Sequence, residues 1–394
     1  MKKFKWLAVV LALVLVLTMV VGCGKKEAPA PEPAPAEGPA EVKVGVNLEL
    51  SGNVAIFGES VANAMEMAFE EYNAKGEGPT LTIVKYDNKS DSGEALNVAT
   101  KLIAQDQVSI VVGPVISTNV LATVPVGQEY GVPILTPTGT ATAVTVPAEG
   151  QLNDFIFRSC FIDPFQGKVA AKFAAENLGL KTAAIFVDNN SDYSKGLRES
   201  FTAAFEAAGG TIVAVEGFVT EDQDFRATLT KIKGANPEII FVPAYYEQVG
   251  KIVQQAREVG FAGAMMGADG WDSPKLLEIA GAESLQNTYF TNHYSPEDTD
   301  PLVVNFVTAY TERYGNVPDA LAALGYDAAK VVIGAVTTAN SADPVVLRDT
   351  MRTMQITGVT GNISFDEFHN PVKAAVVIGF TPEGAQTFVA KVEP

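Results

Sequence analysis

From Val42 onward, apolar runs of strand length alternate with segments whose apolar residues recur every three to four positions. VKVGVNL (42–48) reads as a strand, and Val61, Met65, Ala68 and Tyr72 then share one face of a helix. TLTIVKYD is a second strand, followed by a helix that turns Ala95, Val98, Ala99 and Leu102 inward. SIVVG, a helix through Leu121 and Val124, and VPIL continue the series. Strands separated by crossover helices build a parallel sheet with helices on both faces. An irregular stretch at 139–154 interrupts the pattern, which restarts with DFIFRSC and a helix bearing Val169, Phe173 and Ala174. TAAIFVD, TIVAVEGF, EIIFVPA and AMMGAD are then strands separated by helices at 194–208, 224–233 and 246–259. The order predicts two doubly wound α/β units alike in pattern, with no sequence repeat between them.

The tail breaks the alternation. Two long helices are predicted at 300–314 and 318–339, the first with Val303, Phe306 and Tyr310 aligned, and short strands near NISFD and KAAVVIGF. Such a tail continues neither unit, so it is expected to return and complete both sheets. The lobes would then be discontinuous: 42–161 with 292–373, and 162–291 with 374–394.

The N-terminus has a different character. MKKFK is basic, WLAVVLALVLVLTMVV is apolar, and VVGC closes the run, which reads as a secretory signal over residues 1–22. The closing VVGC resembles the lipobox of bacterial lipoproteins, which implies lipidation of Cys23 and anchoring to a membrane. Residues 23–41 alternate Pro and Ala with charges and cannot bury an apolar face, so they read as an extended tether.

The remaining body is longer than one core comfortably supports, in keeping with two domains. The whole chain carries a formal charge of -18. Loss of Lys2, Lys3 and Lys5 with the leader leaves 25 basic against 46 acidic residues, about -21, which argues against nucleic acid as a partner. Cys160 is the single cysteine of the body, so no intramolecular disulfide can form there.

Catalytic and metal signatures are missing. His293 and His369 stand far apart without acids or Cys at metal spacing. There is no G-x-S-x-G and no Walker loop, and Cys160 without a His partner reads as a packed thiol. No cofactor or metal is expected.

What remains is a set of polar and aromatic residues just past strand C-terminal ends, where open α/β sheets bind ligands. LELSGNVAIFG with Phe57 follows the first strand, GPVISTNV follows SIVVG, and TPTGTATAVT follows VPIL. In the second unit FVDNNSDYSKG carries Tyr193, FVPAYYEQ carries Tyr245 and Tyr246, and MMGADGWDS carries Asp269 and Trp271. Ser117, in GPVIST, has two readings: a plain helix cap, or a hydroxyl beside free N–H groups that together hold an anion.

These motifs, with EYNAKG, KYDNKSD and LGYDAAK, resemble in order and spacing those of the bacterial branched-chain amino acid binding proteins, the solute receptors of ABC importers with the type I periplasmic binding fold. The resemblance spans nearly all of 42–394. It implies two lobes joined by three crossovers, a cleft that closes on a free amino acid, a permease partner, and no catalysis. The matching positions are Ser117, Thr138 and Thr140 in the first lobe and Tyr193, Tyr245 and Asp269 in the second. Hydroxyl and N–H donors suit the ligand carboxylate, the Thr138 carbonyl and the Asp269 carboxylate suit its ammonium, and Gly139 permits close backbone approach. Phe57 and Trp271 are expected to face the cleft, Trp271 with the alternative of packing beneath the second lobe. Tyr246, Tyr326 and Phe165 are assigned to packing.

The departures from the family are Asp269 where many relatives carry Glu, Thr138 for a smaller residue, Leu321 at an often aromatic position, and no cysteine near Ser90 or Ile116. The resemblance thus implies a monomeric, lipid-anchored receptor for an aliphatic amino acid. Short amides, urea or aromatic acids on the same scaffold, or a ligand-sensing role with a separate signalling partner, remain as alternatives.

Overall fold

The computed structural model describes residues 38–147 and 150–394, so the signal segment, Cys23 and nearly all of the tether lie outside the described residues. The first lobe is built from β1 (Glu41–Leu48), α1 (Ala55–Lys75), β2 (Thr80–Asp87), α2 (Ser92–Thr100), β3 (Ile110–Val112), α3 (Ser117–Tyr130), β4 (Ile134–Thr136) and β5 (Ile156–Arg158). Its five strands are parallel in the order β2-β1-β3-β4-β5. β1 is buried without a break from Val44 to Leu48, as a central strand covered on both faces must be, whereas β2 at the edge is half-exposed.

The second lobe follows as α4 (Asp163–Lys172), β6 (Thr182–Asp188), α5 (Asp192–Ala207), β7 (Thr211–Phe218), α6 (Arg226–Gly234), β8 (Ile239–Phe241), α7 (Tyr246–Glu258), β9 (Ala264–Gly267), α8 (Pro274–Ala280) and β10 (Thr288–Asn292). The tail comprises α9 (Pro301–Tyr314), α10 (Ala320–Ala339), α11 (Pro344–Thr353), β11 (Gln355–Gly358), β12 (Gly361–Ser364), β13 (Ala375–Phe380) and β14 (Gln386–Val392). The second sheet runs β14-β13-β10-β9-β8-β6-β7, with β13 and β14 antiparallel to their neighbours.

Two expectations are corrected. The stretch DFIFRSC, which alternation alone reads as the restart of the pattern, pairs as β5 in register with β4 and ends the first sheet, on the first-lobe side of the expected boundary at 161. The tail adds strands to the second sheet alone. To the first lobe it contributes α10, which lies along α1, and the separate hairpin of β11 and β12. Helices can cover the first sheet without supplying it a strand. α10 is long and apolar enough to cross a membrane, yet 72% of its most apolar stretch is buried within the fold, which makes it a core helix. Gly325 lets it approach closely, for a Cβ there would stand 2.7 Å from the Val61 carbonyl oxygen. The chain passes between the lobes three times, after β5, after β10 and before β13.

Candidate functional site

In the first lobe two loops at strand C-terminal ends are bound together. Gly113, at φ +99 and with the Asn47 carbonyl where a Cβ would sit, turns the chain out of β3. Thr136 Oγ1 donates to Pro114 O at 2.7 Å and accepts from Gly139 N at 2.9 Å, and Thr138 Oγ1 donates to Val115 O at 2.7 Å. Ser117 Oγ accepts from Ala141 N at 3.1 Å. The buried Arg158 guanidinium holds the second loop from behind, donating to Gly139 O at 2.6 Å and Ala141 O at 2.9 Å.

The helix-start donors of this region serve an internal anion as well. The buried Glu49 carboxylate, just beyond β1, accepts from Val115 N at 2.9 Å, Ile116 N at 3.3 Å and Asn119 Nδ2 at 2.8 Å. Burial pushes its pKa up, and these donors pull against that. Asn119 is thereby a support of the loop. Thr118 turns instead toward the second lobe, 3.3 Å from Asp192 Oδ2.

In the second lobe Asp269 begins a single helical turn after β9. Its Oδ1 accepts from Tyr193 Oη at 2.8 Å and its Oδ2 lies 2.9 Å from His293 Nε2. Tyr193 Oη also accepts from Gly270 N at 2.9 Å, and its ring stacks on Tyr245 with centroids 5.0 Å apart. Burial, and next to it the negative Asp269, push both phenols well above the usual tyrosine range, so they stay protonated as donors.

The lobes meet over these residues. Phe57 packs edge-on to Tyr245 and Tyr246, at 5.9 and 5.0 Å, and Tyr246 Oη donates to Asn53 O at 3.2 Å. Beneath lies a small cavity lined by Phe57, Val115, Ile116, Ser117, Thr138, Tyr193, Tyr245, Asp269, Gly270 and Leu321.

Six residues singled out in the sequence therefore come together here: Phe57, Ser117, Thr138, Tyr193, Tyr245 and Asp269. Gly139 and Thr140 are not on that lining, and the buried Thr140 hydroxyl is directed to the Asp163 carboxyl. Trp271 is a correction. Its indole is fully buried, donates Nε1–H to Val242 O at 2.9 Å and stacks on Phe290, in space left by Gly267. One helical turn carries Asp269 to the cavity and Trp271 into the core of the second lobe. Cys160 is buried with its thiol pushed up to about 12, an inert packed group.

Two neighbours of Asp269 were not anticipated. His293 is one. Asp163, at the start of α4, is the other: its Oδ1 accepts from Gln166 Nε2 at 3.0 Å, and the Thr140 hydroxyl also donates to its carboxyl. Burial, with Asp269 nearby, pushes Asp163 up to about 7. The folded state then holds this proton more tightly than the unfolded chain, whose Asp titrates near 4. The resulting stabilisation is complete in acid and vanishes as pH rises through about 7. Asp319, also pushed to about 7 by burial and by Asp272, acts in the same direction. Between pH 8 and pH 5 Asp163 alone should add about 2–3 kcal/mol of stability to the ligand-free protein, opposed by His293 and His369, whose burial holds them below the usual histidine range so that the unfolded imidazoles gain protons first. Relative to the parent, Asp163→Asn should lose about 2–3 kcal/mol of stability in denaturant unfolding on going from pH 8 to pH 5; a parent-to-variant difference that does not change with pH would mean that Asp163 does not retain its proton.

Two α/β lobes shut over a small cavity at their strand ends, with no reactive cluster on its walls, define a solute receptor. The sequence profile of the Periplasmic binding protein family matches residues 41–384. The chain belongs to that family of extracytoplasmic solute-binding proteins and is not an enzyme. It is 29% identical over 320 residues, 81% of this chain and 84% of the relative, to a leucine-, isoleucine-, valine-, threonine- and alanine-binding protein of Pseudomonas aeruginosa. The fold is similar to that of a leucine binding protein from Thermotoga maritima (36% identity, TM-score 0.83, covering 90% of this chain and 99% of that one). It is equally similar to a branched-chain amino acid transporter substrate binding protein from Streptococcus pneumoniae in complex with isoleucine (37% identity, TM-score 0.82, covering 89% and 99%).

Proposed function

We propose that this protein captures an aliphatic, branched-chain amino acid by closure of its two lobes and delivers it to the permease of an ABC importer. The observation that carries the reading is the composition of the cavity wall. Asp269 is the one charged side chain lining it, while Phe57, Val115, Ile116 and Leu321 supply apolar surface. A ligand with one cationic group and a short apolar side chain matches that wall. Ser117, on the lining, offers a hydroxyl donor for its carboxylate. Contacts to both lobes favour the closed state, because a ligand shifts an equilibrium by its differential affinity. The amino-acid specificities named for the relatives point the same way. We assign the protein to the outer face of the membrane as a monomer held by a lipid on Cys23, which mass spectrometry of the mature N-terminus would detect as a diacylglyceryl adduct.

Calorimetric titration with leucine, isoleucine, valine and alanine, against urea, acetamide and benzoate, tests the ligand class. Branched-chain amino acids should bind at micromolar affinity or tighter, about -8 kcal/mol or better. Binding of benzoate or an amide with no response to any amino acid would overturn the reading.

A further inference from the structure

We propose that His293 is a positioning residue of the binding site: its Nε2–H fixes the Asp269 carboxylate toward the cavity, and its imidazole must be neutral for that carboxylate to receive a cationic group. The inference rests on the amino-acid reading above and adds to it a residue that does not itself line the cavity.

The geometry assigns the proton. His293 Nε2 is 2.9 Å from Asp269 Oδ2, while Nδ1 is buried with no partner. Of the two neutral tautomers, one places N–H against the carboxylate and leaves a bare Nδ1 lone pair. The other sets a lone pair against the carboxylate and buries an unsatisfied N–H. The first is favoured on both counts. The ring cannot rotate freely to escape, since its side chain is fully buried and stacked on Phe161 with centroids 3.7 Å apart. Its backbone is held too, with His293 N donating to Asn292 Oδ1 at 2.9 Å.

The charged groups around the ring act in opposition. Burial is the largest influence and disfavours the imidazolium, and Lys373 reinforces it; Asp269 and Asp272 favour the imidazolium. The outcome is a histidine held below its ordinary range and neutral at neutral pH. Were it to gain a proton, Asp269 would already be paired with a cation before the ligand ammonium arrived. Ligand and proton are then competitors for one carboxylate, and by linkage each weakens the other. Affinity should fall as pH drops through the imidazole titration of the ligand-free protein, in the acidic range below the usual histidine value; Asp163, which acts on Asp269 from α4 and titrates at about 7, changes affinity earlier and equally in the parent and in a variant at position 293.

The test follows L-leucine or L-isoleucine, whichever binds the parent more tightly, between pH 7.5 and 5. At pH 7.5, His293→Phe should bind about tenfold more weakly, having lost a hydrogen bond to a charged group. His293→Gln, which keeps a donor without a titration, should stay within about threefold. On acidification the parent should lose affinity at least several-fold more than His293→Gln; any fall left in that variant belongs to other groups of the site. Superimposable profiles for the two would overturn the proposal. A second measurement needs no variant at position 293. With only two histidines in the chain, imidazole NMR on the parent resolves both, His369→Gln assigning them. Saturating amino acid should lower the His293 midpoint and leave His369 in place. An unmoved His293 midpoint would overturn the proposal even if the Phe and Gln variants failed to fold. If the parent binds none of the amino acids, the ligand reading itself fails; if it binds and these readouts stay still, only the role of His293 falls.

Discussion

Asp269→Asn is expected to weaken binding of a branched-chain amino acid by about 2–5 kcal/mol, the cost of leaving a buried charge without its partner. The carboxylate is held by Tyr193 Oη at 2.8 Å on one oxygen and by His293 Nε2 at 2.9 Å on the other. Each oxygen has a second lone-pair direction, and the group lines the cavity. Asn preserves the shape and loses two things. Its amide nitrogen cannot accept from either neighbour, so one of those donors is orphaned, and no charged group remains on the wall to meet an ammonium. The effect should be specific to ligands with an ammonium and should appear by calorimetry at pH 7.5, with the melting temperature of the unliganded variant as control. Unchanged affinity for leucine and isoleucine would remove Asp269 as the ammonium partner, and the site would have to be reassigned to an uncharged or acidic ligand.

Asp269 could be found from sequence because the rule that led to it is local. In a parallel α/β sheet the residues just past each strand gather at one edge, and MMGADGW ends a run that only a strand explains. The same rule marked the loops that carry Phe57, Ser117, Thr138, Tyr193 and Tyr245; the family resemblance picked the last four out of those loops, and all five line one cavity. The rule could not separate Asp269 from Trp271, two positions apart, because their directions depend on one short helical turn and on the space at Gly267. Nor could it distinguish Thr138, on the lining, from Gly139 and Thr140, which are not.

Supports of the site were hidden for a different reason. His293 and Glu49 act through partners 24 and 70 residues distant, and neither carries a spacing signature. Glu49 had one local hint, an acid within the apolar run VNLEL at a strand end, where a buried carboxylate is tolerated only if donors converge on it. The tail failed at the level of topology. Its helices and strands were legible from periodicity, but the sheet that β13 would join depends on which edge was left open, and β10 offered that edge while α10 covered the first lobe.

Glu49→Ala should be among the most destabilising single changes in the first lobe, about 3–5 kcal/mol, because it deletes a buried acceptor that three donors share. Val115 N, Ile116 N and Asn119 Nδ2 all point at this carboxylate. They lie at the entry to α3, where no side chain of the helix itself caps the first turn. Without Glu49 those donors lose their protein acceptor at a site sealed from bulk solvent. Glu49→Gln fills the volume and keeps one oxygen acceptor, but turns an NH₂ group toward donors, so an intermediate loss of about 1–3 kcal/mol is expected. Denaturant unfolding of the ligand-free protein measures both. The loss should extend to binding, because Ser117 follows directly on Ile116 and its hydroxyl position depends on that backbone. Wherever Glu49→Gln still folds, it should bind amino acid more weakly than the parent, although Glu49 does not line the cavity. A Glu49→Ala protein within about 1 kcal/mol of the parent, with parental affinity, would show that water or Asn119 can satisfy the loop alone, and the anion held at the start of α3 would then have no part in shaping the site.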